Sequence, residues 1–277
     1  MLTLHFSRNI IGVKLNVTGG IVMRIVQIVF SPTGGTQKVA DIITAEWDKP
    51  IEKIDLTDPK TDFAAISLEK ETVAVIAVPS FGGRVPALAT ERLEKIHGNG
   101  ARCVAVCVYG NRAYEDTLVE LSDTAIKCGF QVVSGIAAIA EHSIMHQYAT
   151  GRPDEQDKGE LRDFARKILE KINDRPADMS AVKVPGNRPY KKAGGAGLVP
   201  KADHKCNMCG LCAEKCPAQA ISKENPKETD SKKCISCMRC VAVCPQSARK
   251  VNAAMVSVAA MAIKKACSER KSNELFI

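Results

Sequence analysis

Eight of the chain's twelve cysteines fall into two runs with one spacing, Cys206-x-x-Cys209-x-x-Cys212-x-x-x-Cys216-Pro217 and Cys234-x-x-Cys237-x-x-Cys240-x-x-x-Cys244-Pro245. Each cysteine of the first run recurs 28 residues later, so the second run is an internal repeat of the first. Two classes of cysteine chemistry compete for such a pattern. Zinc takes four tetrahedral ligands, usually offered as two separated pairs, and eight cysteines are enough for two ions. A disulfide framework needs an oxidising compartment. Neither accounts for a triplet of close cysteines followed by Cys-Pro, written twice.

Each run resembles the ligand run of bacterial two-cluster ferredoxins, in which three cysteines hold one [4Fe-4S] cubane and the fourth crosses to the other. The close triplet wraps three corners of a cubane, and the Cys-Pro step turns the chain toward its twin. The resemblance implies one cluster on Cys206, Cys209, Cys212 and Cys244, and a second on Cys234, Cys237, Cys240 and Cys216. The other four cysteines, Cys103, Cys107, Cys128 and Cys267, stand in apolar or helical contexts and read as small buried hydrophobes or unpaired thiols.

Upstream of the repeat the chain changes character. Val22–Phe30 is a nearly continuous β-branched run, as expected of a parallel strand covered on both faces. Further strands are expected at 73–79, 102–109 and 131–139, with a shorter one at 51–56. Helical patterns fill the intervals, among them ALATERLEKI after Pro86, residues 114–128 before Gly129, and 157–172. This alternation predicts an α/β fold with a five-stranded, doubly wound parallel sheet over residues 23–173. Residues 174–203, rich in Pro, Gly and Lys, read as an extended connector draped along one domain and leading into the other. A small α+β domain is expected over 204–250. Residues 251–277 are a C-terminal helix and tail, whose small-residue face docks either on the first domain or on a second copy, or simply closes the cluster domain. Residues 1–22 form an extension of uncertain status, either a short hairpin or a segment preceding a natural start at Met23.

The first strand runs into Ser31-Pro32-Thr33-Gly34-Gly35-Thr36 and then a helix, the position at which glycines, helix N-terminal amides and hydroxyls together receive a phosphate. There is no Lys-Ser/Thr ending of a nucleotide P-loop and no Gly-x-Gly-x-x-Gly, which disfavours ATP and dinucleotides. Taken alone the turn is an ordinary helix cap as readily as a ligand site. Two other loops, however, leave the next two apolar strands at the same sheet end. They are Pro79-Ser80-Phe81-Gly82-Gly83-Arg84 and Tyr109-Gly110-Asn111-Arg112-Ala113-Tyr114. Phe81, Tyr109 and Tyr114 place three of only twelve aromatic side chains there, where they can flank a planar ring.

Residues 24–172 resemble flavodoxin, with the Ser/Thr-x-Thr-Gly-x-Thr loop matched by Ser31, Thr33, Gly34 and Thr36. From residue 23 onward the chain resembles the fused flavodoxin–ferredoxin proteins of anaerobic bacteria and archaea. The resemblance implies FMN, its phosphate on residues 31–36 and its ring between residues 80–84 and 109–114, in addition to two [4Fe-4S] clusters. Phe81 stands where flavodoxins often present Trp or Tyr, which leaves the stacking arrangement open. Ala140-Glu141-His142-Ser143 also looks like a recurring feature of such fusions; His142 either approaches a cofactor or packs as an ordinary histidine.

The formal charge is +8, which raises the question of nucleic acid. Residues 23–173 carry 18 basic and 22 acidic side chains, whereas residues 174–277 carry 19 and 9. Two clusters with their thiolates bring about −4, and a flavin phosphate up to about −2. Most of the excess is therefore cofactor compensation, with the remainder fitted to an acidic docking face on a redox partner, and no nucleic-acid partner is expected. No apolar run is long enough for a transmembrane segment and no secretory signal is evident, so a cytoplasmic location is expected. No nucleophile-base arrangement or paired carboxylates are recognisable, so no catalytic residue is assigned and the chemistry rests on the cofactors. The expected function is a soluble electron carrier relaying electrons between two clusters and FMN. The alternatives are an FMN-dependent reductase of a small acceptor, or an electron-delivery subunit of a larger complex. A homodimer is compatible with either.

Overall fold

The computed structural model describes residues 23–174, 182–194 and 197–277; the expectations for residues 1–22 and for parts of the connector lie outside the described residues. The chain opens with β1 (Arg24–Val29), α1 (Gly35–Ala45), β2 (Ile51–Asp55), β3 (Thr72–Pro79), α2 (Ala87–Leu93), β4 (Arg102–Tyr109), α3 (Thr117–Lys127), β5 (Gln131–Ile139) and α4 (Glu155–Asp174). After the connector come β6 (Lys201–Ala202), α5 (Leu211–Glu214), α6 (Arg239–Ala242), β7 (Arg249–Lys250), α7 (Ala253–Cys267) and β8 (Glu274–Phe276).

The first five strands pair in parallel in the order β2-β1-β3-β4-β5, the flavodoxin-like doubly wound topology. The β-branched runs read from the sequence are strands because both faces are covered: β3 and β4 are buried almost throughout. One face packs on α1 and α4 through Val39, Ile43, Leu161, Ala165 and Ile168. The Trp47 indole N–H closes that layer by donating to the Ala165 carbonyl at 3.0 Å. The other face packs on α2 and α3 through Leu93, Leu118 and Leu121. Cys103 and Cys107 lie fully buried inside β4, where burial pushes both thiols well above their usual range. They are packing residues.

A sixth strand, absent from the sequence reading, joins this sheet. β8 pairs antiparallel with β5, Gly135 opposite Phe276 and Ala137 opposite Glu274. The tail is fastened by more than its ladder. Asn273 accepts from the Ile139 amide at 2.9 Å and donates to Asp157 and Glu160. Arg270 pairs with Asp154 at 2.8 Å. Beneath it lies an ion pair between Arg152 and Asp157, both side chains almost wholly buried. Asp157→Asn would leave the Arg152 guanidinium buried without its counter-ion, and removing one partner of a buried pair costs about 3–5 kcal/mol. A urea unfolding midpoint lowered accordingly is the expected result; an unchanged midpoint would show that the pair carries no such weight.

The connector lies along α3. Asp116 accepts from the amides of Asn187 (2.8 Å) and Lys191 (2.7 Å), bonds that hold its carboxyl below the usual range. Asp123 receives Arg188 and the Tyr190 hydroxyl.

The cysteine-bearing segment contacts the sheet domain at several points. Arg92 donates to Leu56 O at 2.6 Å and to Pro217 O at 2.7 Å. Arg239 reaches Ser31 O and Pro32 O, and the Tyr148 hydroxyl donates to Ala260 O of α7 at 2.7 Å. Of the dockings open to α7, contact with the first domain is thus realised, while Met255, Val258 and Met261 stay exposed on another face.

Candidate functional site: a strand-end cavity and two thiol-ringed cavities

A parallel sheet delivers all its strand-to-helix loops to one end, and in this topology the loops after β1, β3 and β4 meet there. They enclose a cavity of about 860 Å³. Of the residues singled out from the sequence, Pro32, Thr33, Gly35, Thr36, Ser80, Phe81, Gly82, Arg84, Tyr109, Gly110 and Arg112 stand on its wall. Ser31, Gly34, Gly83, Asn111 and Tyr114 lie off it.

Each of those five has another task. The Ser31 hydroxyl accepts from the Gln37 amide at 2.9 Å and so caps α1. Gly34 is the N-cap residue of α1 with φ 94°, a left-handed conformation that glycine adopts without strain. Gly83, with φ 86°, has no room for a side chain, since an added Cβ would lie 1.6 Å from the Glu115 carboxylate. Asn111 donates to the carbonyls of Cys267 and Glu269, clasping the end of α7. The Tyr114 hydroxyl donates to Glu274 of β8, and its ring meets Tyr109 edge-on at 5.2 Å.

With the Gln37 amide taken by Ser31 and no side chain on the N-cap Gly34, the amides of Gly35 and Thr36 are left for an anion at the cavity wall, where Thr33 and Thr36 add hydroxyls. The two arginines on the wall are already committed. Arg84 forks onto Glu120 at 2.7 Å, and Arg112 pairs with Glu115 at 2.9 Å. Neither is a spare cation for a phosphate.

His142 also stands on the wall, packed against Gly110, where an added Cβ would lie 2.7 Å from its ring. Its Nδ1 accepts from the amides of Ile144 and Met145, both at 3.2 Å. Burial lowers its pKa, so the imidazole is held neutral with the proton on Nε2. The sequence missed four further parts of the wall: Glu91 of α2 with its C-cap Glu94, Ala193 and Gly194 of the connector, Ile235–Cys237, and Ala259, Ala262 and Ile263 of α7. The small-residue face of α7 was the one available signal for the last of these.

The cysteine segment contains two smaller cavities. Cys206, Cys209, Cys212 and Cys244 stand around one; Cys216, Cys234, Cys237 and Cys240 stand around the other. Among the described residues no three His, Cys, Asp or Glu side chains converge as a single-ion site. The 28-residue repeat extends to the backbone. Positive φ recurs at Met208 and Ser236 (62° and 53°), at Gly210 and Met238 (75° and 61°), and at Gln219 and Ser247 (48° and 49°). Amides four residues on donate to the last thiol of each run, Ala220 to Cys216 and Ala248 to Cys244, both at 3.3 Å. Such bonds stabilise charge on sulfur. Ile235 and Cys237 belong to two walls at once, that of the second thiol-ringed cavity and that of the strand-end cavity.

Residues 205–249 match the family model of the 4Fe-4S dicluster domain. Part of the chain is also similar to a trichloroethene reductive dehalogenase of Dehalococcoides mccartyi, 44% identical in a 55-residue alignment, with 14% of this chain covered. The chain spans about a tenth of that relative's length. Among solved structures, the flavodoxin of Streptococcus pneumoniae TIGR4 aligns with 54% of this chain and 99% of its own, at 18% identity and a TM-score of 0.39. An FMN-dependent NADH-azoreductase from Bacillus anthracis aligns over 56% of this chain and 100% of its own, at 14% identity and a TM-score of 0.32. Among the described residues no helix is long and apolar enough to cross a membrane.

Proposed function

We propose that the chain is an electron-transfer iron-sulfur flavoprotein, with [4Fe-4S] clusters in the two thiol-ringed cavities and FMN in the strand-end cavity. The observation that carries this reading is the wall shared at Ile235 and Cys237, which brings the second thiol set against the strand-end cavity. Bound there, the clusters would supply one-electron steps, and FMN the conversion between one- and two-electron transfer. The amides at the start of α1, with Thr33 and Thr36, are assigned to the phosphate. Phe81 and Tyr109 flank the ring, and the His142 Nε2–H is a fixed donor on the wall.

The same wall orders the sites. The cavity of Cys216, Cys234, Cys237 and Cys240 is proximal to the flavin, and that of Cys206, Cys209, Cys212 and Cys244 is distal. Cys209 is the exposed member of the eight, with exposed Lys205 nearby in sequence, so the distal site is assigned to an acidic redox partner.

One observation favours a second reading, an FMN-dependent reductase. Thr90, Glu91 and Glu94 extend the cavity beyond the three strand-end loops and leave wall for a small acceptor. Anaerobic purification and reconstitution followed by iron, sulfide and flavin counts tests the first reading. About eight irons and one FMN per chain are expected, and fewer than about seven irons or no flavin would overturn it. Steady-state turnover of a small organic acceptor, without any partner protein, would favour the reductase.

A further inference from the structure

Arg249 is among the largest side chains shut away from solvent, at 2% exposure. Its Nη1 donates to Pro200 O at 3.2 Å and to the Thr229 hydroxyl at 2.8 Å, and its Nη2 donates to Pro226 O. Its Nε has no partner among the described residues, and no described carboxylate pairs with it. A guanidinium taken out of water costs several kcal/mol unless charge of opposite sign compensates it, and buried arginines are as a rule paired. Neutral carbonyls and a hydroxyl engage its Nη1 and Nη2 donors without cancelling its charge.

Its position indicates where the missing negative charge belongs. Arg249 and Pro226 stand in the wall of the cavity ringed by Cys206, Cys209, Cys212 and Cys244. Pro200 and Thr229 stand in the wall of the other. The guanidinium therefore bridges the two walls. The repeat does not require a cation here, because 28 residues earlier the equivalent position is the aliphatic Ile221.

We propose that Arg249 is the fixed countercharge shared by the two thiol-ringed cavities, and that it makes both of their iron-sulfur groups easier to reduce. The proposal rests on the cluster assignment above. A [4Fe-4S]²⁺ group with four thiolates carries −2 and gains one further negative charge on accepting an electron, so a cation beside it stabilises the reduced form more than the oxidised form. Removing that cation lowers the potential.

The test compares the parent chain with Arg249→Met, which keeps length without charge, and Arg249→Lys, which keeps charge without the fork. The readouts are iron content and an anaerobic redox titration followed by electron paramagnetic resonance. In Arg249→Met the reduced-to-oxidised ratio of each cluster at fixed poise is expected to fall at least tenfold, equivalent to about 59 mV for a one-electron couple. Arg249→Lys is expected to stay within about threefold of the parent, well inside that tenfold interval. Loss of iron from Arg249→Met but not from Arg249→Lys supports the proposal equally. Loaded Arg249→Met with unshifted clusters, Arg249→Lys shifted as far as Arg249→Met, or iron lost from both alike would overturn it; the last would make Arg249 a clamp on three backbone segments. A parent chain that takes up no iron removes the cluster assignment and the proposal together, whereas a loaded parent with an unshifted Arg249→Met removes the proposal alone.

Discussion

Thr33→Asp is expected to weaken FMN binding roughly a thousandfold, since like unit charges about 4 Å apart repel by about 4 kcal/mol at an effective dielectric near 20. Thr33 is exposed and stands on the cavity wall immediately before Gly34, the cap of α1. The loop offers an anion the helix N-terminus and hydroxyls, and a carboxylate placed there competes for the same amides. The fold itself has little stake in this side chain, and surface substitutions of this kind stay within about 0.5 kcal/mol. Thr33→Asn is the control, similar in shape but uncharged, and is expected to bind FMN within about tenfold of the parent, or 1.4 kcal/mol. Flavin fluorescence titration with a parallel urea melt separates the two effects. Raising the ionic strength should recover part of the loss in Thr33→Asp, because the loop is open to solvent. Equal binding by the Asp and Asn variants would place the phosphate elsewhere.

What was legible in the sequence follows from how local each signal is. The five parallel strands could be read because burial on both faces writes itself as continuous β-branched runs. The cysteine repeat could be read because its ligand spacing lies within one short loop. β8 could not: Glu274–Phe276 is three residues long, and its partners Gly135–Ala137 are far away in the chain. Asn111 shows a second limit. Its loop leaves a strand end at the cavity, yet its side chain turns to the carbonyls of Cys267 and Glu269, and loop position alone does not say which side a residue faces. Met238 shows a signal that was present and unused. The 28-residue offset aligns it with Gly210, a glycine before a helical turn, and both adopt positive φ. The aliphatic and charged members of the repeat, Leu211 with Arg239 and Ile221 with Arg249, carry its asymmetry. Arg239 uses its charge on Ser31 O and Pro32 O, so the second copy of the repeat reaches the loop after β1 through a position where the first copy has Leu211.

That asymmetry makes the two thiol sets unequal, and Cys216→Ala is expected to have a larger functional effect than Cys206→Ala. Cys216 belongs by sequence to the first run but stands with Cys234, Cys237 and Cys240, around the cavity that shares a wall with the strand-end cavity. Its removal should lower iron from about eight to about four per chain and stop electron delivery from a one-electron protein donor to FMN, with FMN still bound. Cys206→Ala should also halve the iron, but it removes the distal site and leaves the proximal one against the flavin, so a small reductant able to reach the proximal site directly still reduces FMN. The double variant is the sharper measurement. With crossed ligation, Cys206 and Cys216 serve different clusters, so Cys206→Ala with Cys216→Ala should retain about zero irons. With uncrossed ligation both serve the same cluster and about four irons remain. Iron and sulfide counts on the three variants, each reconstituted anaerobically, decide between these outcomes without any activity assay. Four irons in the double variant would overturn the crossed ligation, because the cluster beside the flavin would then be held by the second run alone and Cys216 would belong to the distal one.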